Sequence, residues 1–146
     1  MYGARRGHLG PAEESELISD IGMGIFDYVE GEWVHLVYMA STVGGYSNFS
    51  LEVHRADGSC DALASPDGSA IKSLRLRSGM YKENQGTWFA MKILIESSGK
   101  FSCEFNYDES PCFRIPPSNN EYVRELKLFP RGPGHMPAWL AEKIQK

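Results

Sequence analysis

Between residues 87 and 107 the chain alternates apolar and polar side chains twice, around one short polar connection. Residues 87–96 put Phe89, Met91, Ile93 and Ile95 on one side. Ser97-Ser98-Gly99 follows. Residues 101–107 then put Phe101, Cys103, Phe105 and Tyr107 on one side and Ser102, Glu104 and Asn106 on the other. A period of two marks a strand with one buried face. A short Gly-containing connection between two such strands makes them antiparallel neighbours. The apolar face of this hairpin needs a cover, so the fold must supply another layer against it.

Residues 12–28 supply one candidate. Leu17, Ile18, Ile21, Ile25 and Val29 recur at helical spacing, with Glu13, Glu14 and Glu16 in the first turns, where the helix dipole favours anions. Gly22 and Gly24 weaken a helix by about 1 kcal/mol each against Ala, which fits a helix approaching a sheet closely. Residues 33–42, WVHLVYMAST, are apolar on both faces and read as a central strand. In residues 48–55, Phe49, Leu51 and Val53 alternate with Ser50, Glu52 and His54, the pattern of a half-exposed antiparallel strand. Asp57-Gly58 is a turn. Residues 69–83 contain a helix with Ile71, Leu74, Ser78 and Tyr81 inward and Lys72, Arg75, Arg77 and Lys82 outward. Pro111, Pro116 and Pro117 interrupt regular structure, a short helix spans 121–128, Arg131-Gly132-Pro133-Gly134 is a loop, and Pro137 opens a terminal helix. The expected fold is α+β. It is an antiparallel four-stranded meander with an N-terminal helix, a middle helix and C-terminal helices packed mainly on one face. Residues 1–146 form a single domain, of which 1–11 are a flexible leader.

Composition excludes several classes of function. The 146 residues are 42% hydrophobic and 23% charged, which rules out bulk disorder. The apolar run 89–95 is broken by Lys92 and far too short to span a membrane. Lys and Arg total 15 against 19 Asp and Glu, a net charge of −4, the wrong sign for counterion-release binding to nucleic acid. The Lys72, Arg75, Arg77 and Lys82 cluster therefore reads as a solvated helix face. Cys60, Cys103 and Cys112 form no CxxC pair and are odd in number, so free thiols in a reducing compartment are expected. With no secretory signal visible, the expected location is cytoplasmic. Cys103, among apolar neighbours, reads as a small core residue.

Motif chemistry is sparse. His8, His35, His54 and His135 show no metal-ligand spacing, and no GxSxG, P-loop or strand-borne GxGxxG is present. No metal, cofactor or catalytic constellation is expected. His35 reads as a hydrogen-bonded core residue; His54, outward and near Asp57, is the better acid–base candidate. Carboxylates fall in two groups. Glu104, Asp108 and Glu109 lie on or just after the last strand, and Asp57, Asp61 and Asp67 lie in the turns before the middle helix. They fit a solvated acidic surface, an acid–base pair, or an acidic face that meets a basic partner.

Residues 86–110, GTWFAMKILIESSGKFSCEFNYDES, carry a family resemblance. Trp88 opens a strand, Gly99-Lys100-Phe101 forms a hairpin, and Glu104-Phe105-Asn106-Tyr107-Asp108 makes an acidic, tyrosine-containing strand. Upstream, an amphipathic helix precedes Glu32-Trp33 at the start of the first strand. In this order and spacing, residues 14–108 resemble the YezG-like immunity proteins of bacterial polymorphic-toxin and contact-dependent growth inhibition systems. The resemblance implies a non-enzymatic antitoxin that binds and neutralises the C-terminal domain of a cognate toxin, often a nuclease, by protein–protein contact. The expected toxin-binding residues are Glu52, Asp57, Asp61, Asp67, Glu104, Asp108 and Glu109. A competing contact surface is the segment from Pro111 onward, where the family pattern lapses. The alternative function is a small hydrolase using His54 with Asp57, or a carboxylate pair around Glu104 and Asp108.

Overall fold

The computed structural model describes residues 6–145. In chain order the elements are α1 (Pro11–Tyr28), β1 (His35–Val43), β2 (Tyr46–His54), β3 (Cys60–Leu63), α2 (Ser69–Gly79), β4 (Ala90–Glu96), β5 (Phe101–Asn106), α3 (Asn119–Leu128) and α4 (Ala138–Ile144), with a single 3₁₀ turn at Pro133–His135. The class is α+β, and the sheet is antiparallel with the order β3-β2-β1-β4-β5.

Two features of the expected sheet are corrected. It has five strands rather than four, because Cys60–Leu63 folds back on β2 as an edge strand. It is also not a simple meander. β4 pairs with β1, not with the strand before it in the chain, because α2 carries the chain from the β3 edge back over the sheet to the far side of β1. β1 is thereby central, as its two apolar faces require.

Leu36, Tyr38 and Ala40 of β1, Leu51 and Val53 of β2, and Met91, Ile93 and Ile95 of β4 form the buried face of the sheet. Ile21, Ile25 and Val29 of α1 and Leu76 of α2 cover it, with Trp88 packed in the same cluster. The close approach foreseen at Gly22 is present: a Cβ there would meet the Phe101 ring at 2.7 Å. Gly24 has open space instead. α2 seats differently from its expected face. Ile71 is 43% exposed, and Ser69, Ser73 and Leu76 turn inward. The small serines bring α2 close enough for Ser73 Oγ to hydrogen-bond the buried Tyr38 hydroxyl at 2.8 Å. Burial raises the Tyr38 pKa.

Arg77 overturns its reading as a surface cation. It is fully buried and ion-paired to Glu125 of α3 at 2.6 Å. Its Nε donates to the Trp88 carbonyl, and its guanidinium lies 4.9 Å from the Phe129 ring centroid. Glu125 also accepts from the Gly44 amide, and Glu121 accepts from the Gly45 amide, so α3 clamps the β1–β2 turn. Gly44 takes φ +60° there, the left-handed backbone that a tight hairpin loop demands. A Cβ at Gly44 would collide with the Glu121 carbonyl.

The C-terminal helices pack around a core of their own. Val43, Phe89, Tyr122 and Leu140 make a second small core at the end of the sheet where β1 stops and β4 begins. Of the stretch expected as a leader, residues 1–5 lie outside the described residues. Gly7 and Leu9 are docked on the end of α2, their amides donating to the Ser78 and Gly79 carbonyls. Pro11 opens α1, where Glu13 Oε1 accepts from the Gly10 amide.

Cys103 faces the main core and is half-buried. Burial, with the Glu104 charge beside it, pushes its thiol up to about 11. Cys60 and Cys112 are exposed. Because the thiolate is the nucleophile, iodoacetamide at pH 8 should modify Cys103 roughly tenfold or more slowly than the two exposed cysteines. Peptide mass spectrometry over a time course checks this; equal rates would contradict the inward placement.

Candidate functional site

With α1 and α2 on one side, no helix among the described residues is packed across the centre of the other side of the sheet. Alternation places His35, Val37 and Met39 of β1, Ser50, Glu52 and His54 of β2, Lys92 and Leu94 of β4, and Ser102 and Glu104 of β5 on this open face. Val37, Met39 and Leu94 are only half-buried, while Glu52, Lys92 and Glu104 are exposed. Across one end runs a shallow groove of about 290 Å³, bounded by Met39, Ala90, Lys92, Glu104, Pro111 and Cys112.

The expected acidic residues separate into distinct settings. Glu52 and Glu104 share the open face, but β1 and β4 lie between their strands. Three inter-strand steps across and two residues along place their backbones roughly 16 Å apart, so they form no carboxylate pair. Lys92 stands directly opposite Glu104 in register. Asp108 and Glu109 follow β5 in an exposed turn, built by the Asn106 side chain. Its Oδ1 accepts from both of their amides, at 3.2 and 2.8 Å, and its Nδ2 donates to the Glu109 carbonyl. The Asp108 carbonyl is held by the Trp139 indole at 2.7 Å. The Glu104–Asp108 pair of the hydrolase reading is thus split between a strand and the turn beyond it.

The second group is not the cluster of turn residues that was expected. Asp61 lies on β3, in register with Val53 and so on the side opposite Glu52, and is ion-paired with Arg55 at 2.9 Å. Asp67 is exposed in the turn before α2. Asp57 closes its own turn, accepting from the Ser59 hydroxyl at 2.6 Å and from the Ser59 amide at 2.9 Å. These bonds, the hydroxyl foremost, hold its carboxyl below the ordinary range. Asp57 therefore does not serve His54, and the His54–Asp57 acid–base pair is corrected.

His54 has other neighbours. Its Nε2 lies 3.1 Å from Glu52 Oε1 and 3.8 Å from Cys60 Sγ. His35, foreseen as a core residue, is only half-buried, and its ring stacks on His54 at 4.2 Å with 19° between planes. Sequence reasoning missed Cys60 because its strand is four residues long and exposed throughout. The available signal was the Asp57-Gly58 turn, which returns the next residues alongside His54.

No helix among the described residues is long and apolar enough to cross a membrane. No family model matches the chain, and no curated protein matches it.

Proposed function

We propose that the protein is an immunity protein that binds and neutralises the C-terminal domain of a bacterial toxin, of the nuclease class, through the open face of its sheet. One observation carries this reading: the sheet is covered by α1 and α2 on one side only, and the opposite side presents half-buried Val37, Met39 and Leu94 between exposed Glu52 and Glu104. Protein interfaces have charge-depleted centres and polar rims; here the half-buried patch of Val37, Met39 and Leu94 is that centre, and exposed Glu52, Lys92 and Glu104 stand around it. A nuclease surface that holds phosphates is cationic. The carboxylates at the sides of the face, with Asp108 and Glu109 in the adjoining turn, provide the complementary sign. Asp61 projects on the opposite side of the sheet, and Asp57 and Asp67 lie in turns outside its strands; the three are assigned no part in binding.

The test uses the C-terminal domain of the toxin encoded beside this gene. Glu52→Lys with Glu104→Lys should weaken binding about tenfold or more, roughly 1.4 kcal/mol. The thermal midpoint should fall by only about 2–5 °C, since exposed substitutions seldom change stability by more than ~0.5 kcal/mol each and Glu104→Lys sets a like charge opposite Lys92. Calorimetry and thermal melts measure both. Unchanged affinity would overturn the open-face assignment. Truncation after Ser110 is no test of the C-terminal segment, because it removes Glu125 from buried Arg77. Ile115, 71% exposed, is the better probe: loss of binding in Ile115→Asp alone would move the interface to that segment.

A further inference from the structure

At one end of the open face three adjacent strands place a row of donor groups side by side. His35 pairs with His54, and His54 pairs with Cys60, so all three side chains project on the same side of the sheet. Glu52, two residues before His54 on β2, projects on that side as well. The donor atoms of Glu52, His54 and Cys60 lie within 4.8 Å of one another. Among the described residues this is the one group of three or more His, Cys, Asp or Glu side chains close enough to share an ion.

We propose that Glu52, His54 and Cys60 bind a divalent transition ion of the zinc class. Thiolate, imidazole and carboxylate together suit zinc, whereas calcium and magnesium select oxygen donors. Tetrahedral zinc, with bonds of about 2.0–2.3 Å, sets its donor atoms roughly 3.3–3.6 Å apart. Two of the observed separations, 3.1 Å from Nε2 to Oε1 and 3.8 Å from Nε2 to Sγ, fall a few tenths of an ångström either side, and the third, Oε1 to Sγ, is within 4.8 Å. Exposed side chains close that difference by small torsions.

The geometry also separates an ion site from a catalytic relay. In a Cys–His–Glu relay the cysteine and the carboxylate meet opposite ring nitrogens, one taking the thiol proton while the other is held. Here both partners meet the same nitrogen, Nε2. Convergence of three donors on one point is what a shared cation requires. On binding, the Cys60 S–H bond breaks, its proton passes to solvent, and the thiolate lone pair forms the bond to the ion. His54 binds as neutral imidazole through Nε2, with its proton on Nδ1. No electron is transferred. His35, stacked on His54, is a positioning residue that fixes the plane of the ligating ring.

The experiment uses the full chain, stripped with chelator, and needs no toxin, so it stands or fails independently of the immunity reading. Equimolar Zn²⁺ should slow alkylation of Cys60 by iodoacetamide at least tenfold while leaving exposed Cys112 unchanged as an internal control. Mg²⁺ and Ca²⁺ should leave both alkylation rates unchanged. Co²⁺ should produce a thiolate-to-metal absorption band that Cys60→Ser abolishes. His54→Ala and Glu52→Gln should each weaken Zn²⁺ protection of Cys60, with metal-free thermal midpoints within about 2 °C of the parent. Glu52→Gln keeps the test informative if His54→Ala does not fold. Equal protection of Cys60 and Cys112, or no cobalt band, overturns the proposal. So does Cys60 protection that survives both His54→Ala and Glu52→Gln.

Discussion

Glu125→Ala is expected to lower the free energy of unfolding by about 3–5 kcal/mol, because it strands a charge in the interior. Arg77 is 0% exposed, as is Glu125, and the carboxylate is its one ionic partner among the described residues, at 2.6 Å. The same carboxylate also accepts the Gly44 amide, so the substitution unpairs a backbone donor in the β1–β2 turn as well. Breaking a buried pair from one side is far more damaging than replacing it whole. The double variant Arg77→Met/Glu125→Leu should therefore recover a large part of the loss, though not the part due to the Gly44 amide. Guanidinium denaturation of the parent, single and double variants measures each difference. A loss below about 1 kcal/mol for Glu125→Ala would mean that water reaches Arg77. The pair joins α2 to α3, residues 48 apart in sequence, so its loss should uncouple the second small core from the main one.

Trp88→Ala should have an effect of similar size, about 3–5 kcal/mol, from lost burial and the cavity left behind. The indole is fully buried in the main core, with its ring centroid 5.7 Å from that of Phe105. Its carbonyl holds the Arg77 Nε. Trp88 is also among the residues that carry the family resemblance, and its burial makes it a feature of the fold rather than a contact for the toxin. Trp88→Phe, which keeps most of the volume, should lose less stability and, under the proposed immunity function, bind the toxin domain as the parent does once the folded fraction is accounted for. Denaturation and binding measured on the same two variants separate these roles. A Trp88→Phe protein of parental stability that no longer binds would instead place the indole in the interface.

The two large effects and the proposed ion site have one thing in common: none rests on a local pattern. Arg77 sits on a helix with Lys72 and Arg75, and in one dimension it reads as part of their solvated face. Only the arrival of Glu125 makes its burial tolerable, since an unpaired interior charge is excluded by its desolvation. His54, with no histidine or cysteine at ligand spacing, reads as an acid–base candidate beside Asp57. It is the strand register that sets Cys60 beside it.

The sequence by itself determined the α+β class, the β4–β5 hairpin, α1 with its close approach at Gly22, the central place of β1 and the existence of an open sheet face. Each follows from side-chain periodicity, and periodicity is a property of neighbouring residues. The tertiary structure alone decided that Cys60–Leu63 is a strand, because four exposed residues carry no periodic signal and take their conformation from the edge of β2. It decided that β4 joins β1, because which strands become neighbours depends on where α2 returns the chain. It also set Asp61 on the side opposite Glu52 and gathered Glu52, His54 and Cys60, because convergence of side chains depends on pairing register between segments that no local pattern connects.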